Sequence, residues 1–307
     1  MKKTWLLVCL VILAGCAQKE TITASDPFLG GTTGLLINFL EDNPPSEVYD
    51  GGNFPFEVVV KLNNEGEWDV PADTVEVRVS GVDPAEFGLS QADVIKHPEE
   101  DLDRTSKDAE GNVNEGRITY VSFPGFNYKG AISGNIVFPI RADVCYTYGT
   151  KVMSKICVKR DLVDTSEDSL CKVAEEKIVY SSRAPIQITS LKEAVRGKDL
   201  IGFTLKMEHK GNGDVFQKGT NCDTTGILYE NKIWVDVKTE VPGTKCTGLQ
   251  EGTATSGYVT MYSGERTITC SMPASTSTDY EKSIEIELVY DYQEDITTQL
   301  LLKHTVD

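Results

Sequence analysis

From residue 34 to the C-terminus the chain is a succession of short runs in which apolar and polar residues alternate, separated by turn residues. Val75, Val77 and Val79 alternate with Glu76 and Arg78, the period of two expected of a half-buried strand. Phe56–Leu62 and Ile118–Val121 are further strand runs. Asn63-Asn64-Glu65-Gly66 and Ser80-Gly81-Val82-Asp83-Pro84 read as turns between them. Long helical periodicity is absent, and only Gln91–Lys96 and a stretch around Asp168–Glu176 are helix candidates. The pattern predicts an all-β protein.

The second half repeats the first. Cys145-Tyr146-Thr147-Tyr148 matches Val289-Tyr290-Asp291-Tyr292, and Ile156-Cys157-Val158-Lys159 matches Leu300-Leu301-Leu302-Lys303, at one offset of 144. Upstream, Arg117–Pro124 matches Arg266–Pro273 at an offset of 149, and Phe56–Val70 matches Phe203–Val215. Three matches in one order predict a tandem duplication, with chance similarity of β-patterned segments as the competing explanation. Each unit has the size and strand number of an immunoglobulin-like sandwich. The expected organisation is a signal peptide over 1–15, a flexible tether over 16–33, sandwich one over 34–160, a linker over 161–183 and sandwich two over 184–307. The two sandwiches are expected to form a semi-rigid rod.

The first sixteen residues give an address. Lys2 and Lys3 precede nine apolar residues, Trp5–Leu13, and Leu13-Ala14-Gly15-Cys16 closes the segment. A charged start, a short apolar run and small residues describe a secretory signal, and nine residues are about half of the roughly 20 that span a bilayer. The segment resembles the lipobox of lipoprotein signal peptides. That resemblance implies cleavage before Cys16 and lipid on its sulfur. An ordinary cleaved signal and an uncleaved anchor are the alternatives. The repeated units, with their Asn64–Gly66 and His209–Gly211 turns and terminal tyrosine pairs, resemble the CARDB-like and related Ig-like modules of prokaryotic, especially archaeal, surface proteins. That likeness is architectural and implies no activity.

Charge narrows the partners. The formal charge is -17, and removing residues 1–15 makes it -19. Nucleic acid and anionic headgroups are disfavoured, since phosphate binding needs clustered Lys and Arg. The expected partners are a membrane through the N-terminal lipid, a protein or surface glycan, and other copies of the chain.

Of eight cysteines, Cys9 falls in the signal and Cys16 is the lipid site. Cys145, Cys157, Cys171, Cys222, Cys246 and Cys270 remain, an even set that reads as disulfides in an exported chain. No C-x-x-C occurs, which argues against zinc and thioredoxin-like chemistry. A hairpin centred on Lys151 would place Cys145 opposite Cys157, at the Cβ separation of about 4.5–5.5 Å of directly opposed residues, and so predicts that bridge. The other four cysteines would form two more, Cys222–Cys246 among them.

Three histidines, His97, His209 and His304, lie in separate segments without metal-ligand or triad spacing, and no metal or cofactor is expected from them. Gly211-Asn212-Gly213-Asp214 reads as a turn, not a phosphate loop. Asp108, Glu110, Asn112 and Asn114 place oxygens at alternate positions, and Asp101 and Asp103 precede them. This pattern could hold Ca²⁺ or be a solvated insertion; as a loop on a rigid sandwich it is the candidate binding element. Phe123, Phe126 and Tyr128 either present rings to a partner or cap the core. The reading that follows is a non-catalytic surface lipoprotein with a structural or binding role. The alternative is a filament or surface-layer subunit that donates Gly34–Leu40 as a strand.

Overall fold

A computed structural model describes residues 26–108, 110–163, 169–223, 225 and 227–305. The expected signal peptide and Cys16 lie outside the described residues. The protein is all-β. Its first half holds β1 (Leu35–Phe39), β2 (Glu47–Tyr49), β3 (Phe56–Asn64), β4 (Val75–Ser80), β5 (Ile95–Lys96), β6 (Ser106–Lys107), β7 (Val113–Asn114), β8 (Ile118–Phe126) and β9 (Ile136–Val158). The second holds β10 (Glu176–Lys177), β11 (Val179–Ser181), β12 (Ile186–Gly197), β13 (Leu200–His209), β14 (Asp214–Phe216), β15 (Lys232–Lys238), β16 (Lys245–Thr247), β17 (Ser256–Thr260), β18 (Glu265–Pro273) and β19 (Tyr280–Lys303). Gln91–Val94 is a short 3₁₀ turn.

One sheet runs through the whole molecule in the order β5-β4-β9-β19-β15-β17. Its centre is a ladder of 23 antiparallel pairs between β9 and β19, Ile136–Val158 against Tyr280–Leu302. Under the 144-residue repeat β9 corresponds to β19, and β4 and β15 are their matching neighbours, so the sheet is palindromic about the pair Thr147–Asp291. The two repeats therefore join as the halves of a symmetric dimer do. The expected rod, held by residues 161–183, is replaced by this shared sheet.

The terminal tyrosine segments were expected as hairpins, yet each is one uninterrupted strand. The reason is the burial period. Ile140, Ala142, Val144, Tyr146, Tyr148, Thr150, Val152, Ser154 and Ile156 are all buried, as are Ile284, Ile286, Leu288, Tyr290, Tyr292, Leu300 and Leu302. Lys151, which read as the turn centre, and Lys155 are outward members of the same alternation. The buried face is covered by two smaller sheets, β1-β3-β8 over one half and β10-β12-β13-β18-β16 over the other. Leu35–Phe39 is thus paired with β3 of its own chain across five residues.

Without the hairpin the predicted Cys145–Cys157 bridge cannot form, because residues on one extended strand diverge at roughly 3.3 Å each. The disulfides are Cys145–Cys222, Cys157–Cys171 and Cys246–Cys270, so Cys222–Cys246 is corrected as well. Cys246 and Cys270 are the cross-strand pair, directly opposite on β16 and β18. Three disulfides mark a chain that folds in an oxidising, extracellular-type environment. No helix among the described residues is long and apolar enough to cross a membrane.

Candidate functional site: two related clefts at the seam

The four tyrosines of the seam are buried and need partners for their hydroxyls. The repeats solve this in parallel. In repeat one the Leu35 amide donates to the Tyr146 hydroxyl, and the Tyr148 hydroxyl meets Asn64 Oδ1 at 3.4 Å. In repeat two the Ile186 amide donates to Tyr290, and Tyr292 meets His209 Nε2 at 3.0 Å. Leu35 pairs with Asn64 as Ile186 pairs with His209. Gly66 and Gly211 follow at the same place, and a Cβ would lie 1.7 Å from the Tyr148 oxygen at the first and 2.2 Å from the Tyr292 oxygen at the second. Only glycine lets the turn lie against the ring. Burial holds all four hydroxyls as neutral phenols, and pushes His209 below its ordinary value despite nearby Asp214.

Beside each turn lies a cleft between the turn, the start of the covering sheet and the end of a Tyr-x-Tyr segment. The first cleft is filled by the chain's own N-terminal segment. Both Glu67 oxygens accept from the Leu29 amide, the Gly30 amide donates to one of them, and the Arg183 amide donates to the same oxygen at 2.7 Å. Arg183 Nε donates to the Gly30 carbonyl, and the Ala184 amide and Gln187 Nε2 donate to that of Gly31. The Trp68 ring lies against Gly149, with Lys151 Nζ 5.4 Å from its centre. Thr150 closes the floor, its hydroxyl donating to the Ile186 carbonyl at 2.6 Å. Residues 26–33, read as part of a flexible tether, here include this clamped stretch.

The second cleft is open, with a volume of about 430 Å³. The repeat puts Thr32 where the first has Arg183, Asn212 for Glu67, Gly213 for Trp68, Glu294 for Thr150 and Asp295 for Lys151. Both the ring and the two cations are gone. Glu294 accepts a hydrogen bond from Tyr146 at 3.3 Å, and burial raises its pKa above the usual carboxylate range.

On the opposite face of the shared sheet, a loop of repeat two is strapped across the seam. Asp291, buried, accepts from Thr147 Oγ1 at 2.7 Å and from the amides of Thr220 and Asn221. Cys222 follows and bonds to Cys145, tying one repeat to the other. Asn221 and Cys222 both take left-handed backbone conformations to make the turn.

The acidic candidates lie elsewhere and do not converge. Asp101 accepts from the Ala72 amide, Asp103 pairs with Arg117, and Asp108 accepts from the Asn112 amide and side chain. Glu110, Asn112 and Asn114 ride on the turn and strand of the small β6–β7 hairpin. The segment before it is integral to the fold: Leu102 is fully buried and Thr105 donates to the Asn64 carbonyl. Among the described residues no three His, Cys, Asp or Glu side chains gather as a metal ligand set. Phe123 and Phe126 are fully buried and cap the core, with Phe126 stacked on Phe56.

The sequence reading missed Glu67, Arg183 and Asp291, whose main partners are backbone amides and carbonyls and leave no motif. Glu294 was within reach, since the 144-residue match sets it against Thr150. No protein-family model matches the chain, and no curated protein matches it.

Proposed function

We propose that the protein is a non-catalytic, lipid-anchored module of the cell envelope that holds a rigid binding body outside the membrane. The observation that carries this reading is the clamp on Leu29 and Gly30, which fixes the chain a short distance after Cys16 to the seam of a disulfide-stapled body. A tension-bearing attachment calls for such a grip, because load on the N-terminus is taken up at Glu67 and Arg183, in the turn after β3 and the segment before β12. Each of the three histidines is engaged within the fold. His97 meets the Val75 carbonyl, His209 meets Tyr292, and His304 pairs with buried Asp50. The resemblance to CARDB-like surface modules points the same way.

Intact mass of the protein from its native membrane tests the anchor. The expected mass begins at Cys16 with added lipid and gains six hydrogens on reduction, and Cys16→Ser moves the protein to the soluble fraction. An unlipidated mass beginning elsewhere would overturn the anchored reading.

A further inference from the structure

We infer that the open cleft is a binding site for a peptide segment of a partner protein bearing a lysine or arginine. The inference goes beyond the proposed function and holds whether or not the chain is lipidated.

The molecule supplies its own precedent. The related cleft holds a stretch of backbone, Leu29–Gly31, turned by positive φ at Gly30 and Gly31, by its amides and carbonyls rather than by its side chains. The walls that hold it are Arg183–Gln187 and the Glu65–Trp68 turn. The same elements of the other repeat, Thr32–Leu36 and Lys210–Gly213, wall the open cleft. Loss of the tryptophan at Gly213 leaves a volume within the roughly 300–1,000 Å³ usual for binding pockets. Leu36, 40% exposed, adds an apolar wall at the place of Gln187.

Charge decides what the segment carries. The filled cleft sets Arg183 and Lys151 around a neutral threonine floor. The open one sets Glu294 on the floor and Asp295 beside it, with Asp214 on the turn. Lys210 is drawn toward Glu208 and Arg141 pairs with both Asp143 and Asp295. Among the described residues that leaves Glu294, whose hydrogen-bond donor is the neutral Tyr146 hydroxyl, facing the cleft with no cation in an ion pair to it. A carboxylate desolvated in this way gains more from an incoming ammonium or guanidinium than an exposed one does.

The test uses the full chain and a phage-displayed library of random nonapeptides. Selection should enrich peptides with a basic residue at one position. Their affinity, read by fluorescence anisotropy, should fall about tenfold in Glu294→Thr, which installs the residue of the filled cleft. Glu294→Gln should weaken binding in the same direction, while Glu57→Gln on the outer face of β3 should not. Thermal midpoints at or above the parent's keep these variants interpretable. Absence of enrichment, enrichment without a basic residue, or equal affinity for Glu294→Thr would overturn the proposal. So would 1,5-diaminopentane competing at the affinity of the peptides themselves, since the backbone would then contribute nothing.

Discussion

The two seam clefts are built from matching turns, matching tyrosines and matching glycines, yet one is plugged and the other is open. Five of the substitutions that separate them account for the contrast. Replacing tryptophan by glycine removes volume, replacing Arg183 and Lys151 by Thr32 and Asp295 removes cations, replacing Glu67 by Asn212 removes the amide clamp, and replacing Thr150 by Glu294 puts a half-buried carboxylate on the floor. The repeated fold thus fills one copy of a junction with its own chain and leaves the other open. The lesson concerns where to look in any internal duplication: equivalent places at which one copy is satisfied and the other is not.

The largest effect tests the frame that relates the clefts. Cys145–Cys222 closes 77 residues and joins the repeats. The chain-entropy model assigns it about 4–5 kcal/mol, against about 3 kcal/mol for the 14-residue Cys157–Cys171 loop. The double serine variants should rank in that order in urea unfolding, and a reversed order would break the view of the strap as the principal staple.

Acidity separates the two sides next. Glu193 on β12 has no exposed side-chain surface, and its carboxyl accepts from the Cys157 amide beside Lys177 Nζ at 3.1 Å. Burial pushes it up from 4.5 to about 7. The folded state therefore holds this proton more tightly than the unfolded chain. That preference favours folding fully below about pH 4.5 and is lost as pH rises toward 7, a swing of about 3 kcal/mol. The urea midpoint of Glu193→Gln should change less than that of the parent between pH 5 and pH 8; equal changes would contradict the assignment.

Gly66→Ala drives a methyl into the Tyr148 hydroxyl and should cost about 1–3 kcal/mol or more. Gly211→Ala should cost less, since its cleft is open on one side, and equal costs by thermal melting would blur the distinction drawn here. The smallest effect is a gain. Glu294→Thr removes a half-buried carboxylate whose raised pKa works against folding once it ionises. The stability of the variant relative to the parent should therefore be greater at pH 8 than at pH 4, and an equal difference at both would contradict the assignment.

The all-β class and the duplication were legible because both rest on local signals. Val75, Val77 and Val79 declare a strand by period, and the paired Tyr-x-Tyr segments declare a repeat. The disulfide pairing was not legible. It turned on whether Lys151 is a turn or the outward residue of a longer strand, and a polar residue between apolar ones fits both. The partner that settles the matter, β19, lies more than a hundred residues away. The Glu67 clamp was hidden for another reason, that backbone amides carry no side-chain signature.

Hydrogen exchange of the Leu29 and Gly30 amides, followed residue by residue in the full chain, tests the central claim most directly. The account predicts that both are protected, and that Glu67→Gln abolishes this protection while leaving the Gly213 amide, bonded to the Tyr292 hydroxyl, unchanged. Exchange of Leu29 and Gly30 at the rate of an unstructured chain in the parent protein would contradict it, because neither cleft would then be filled.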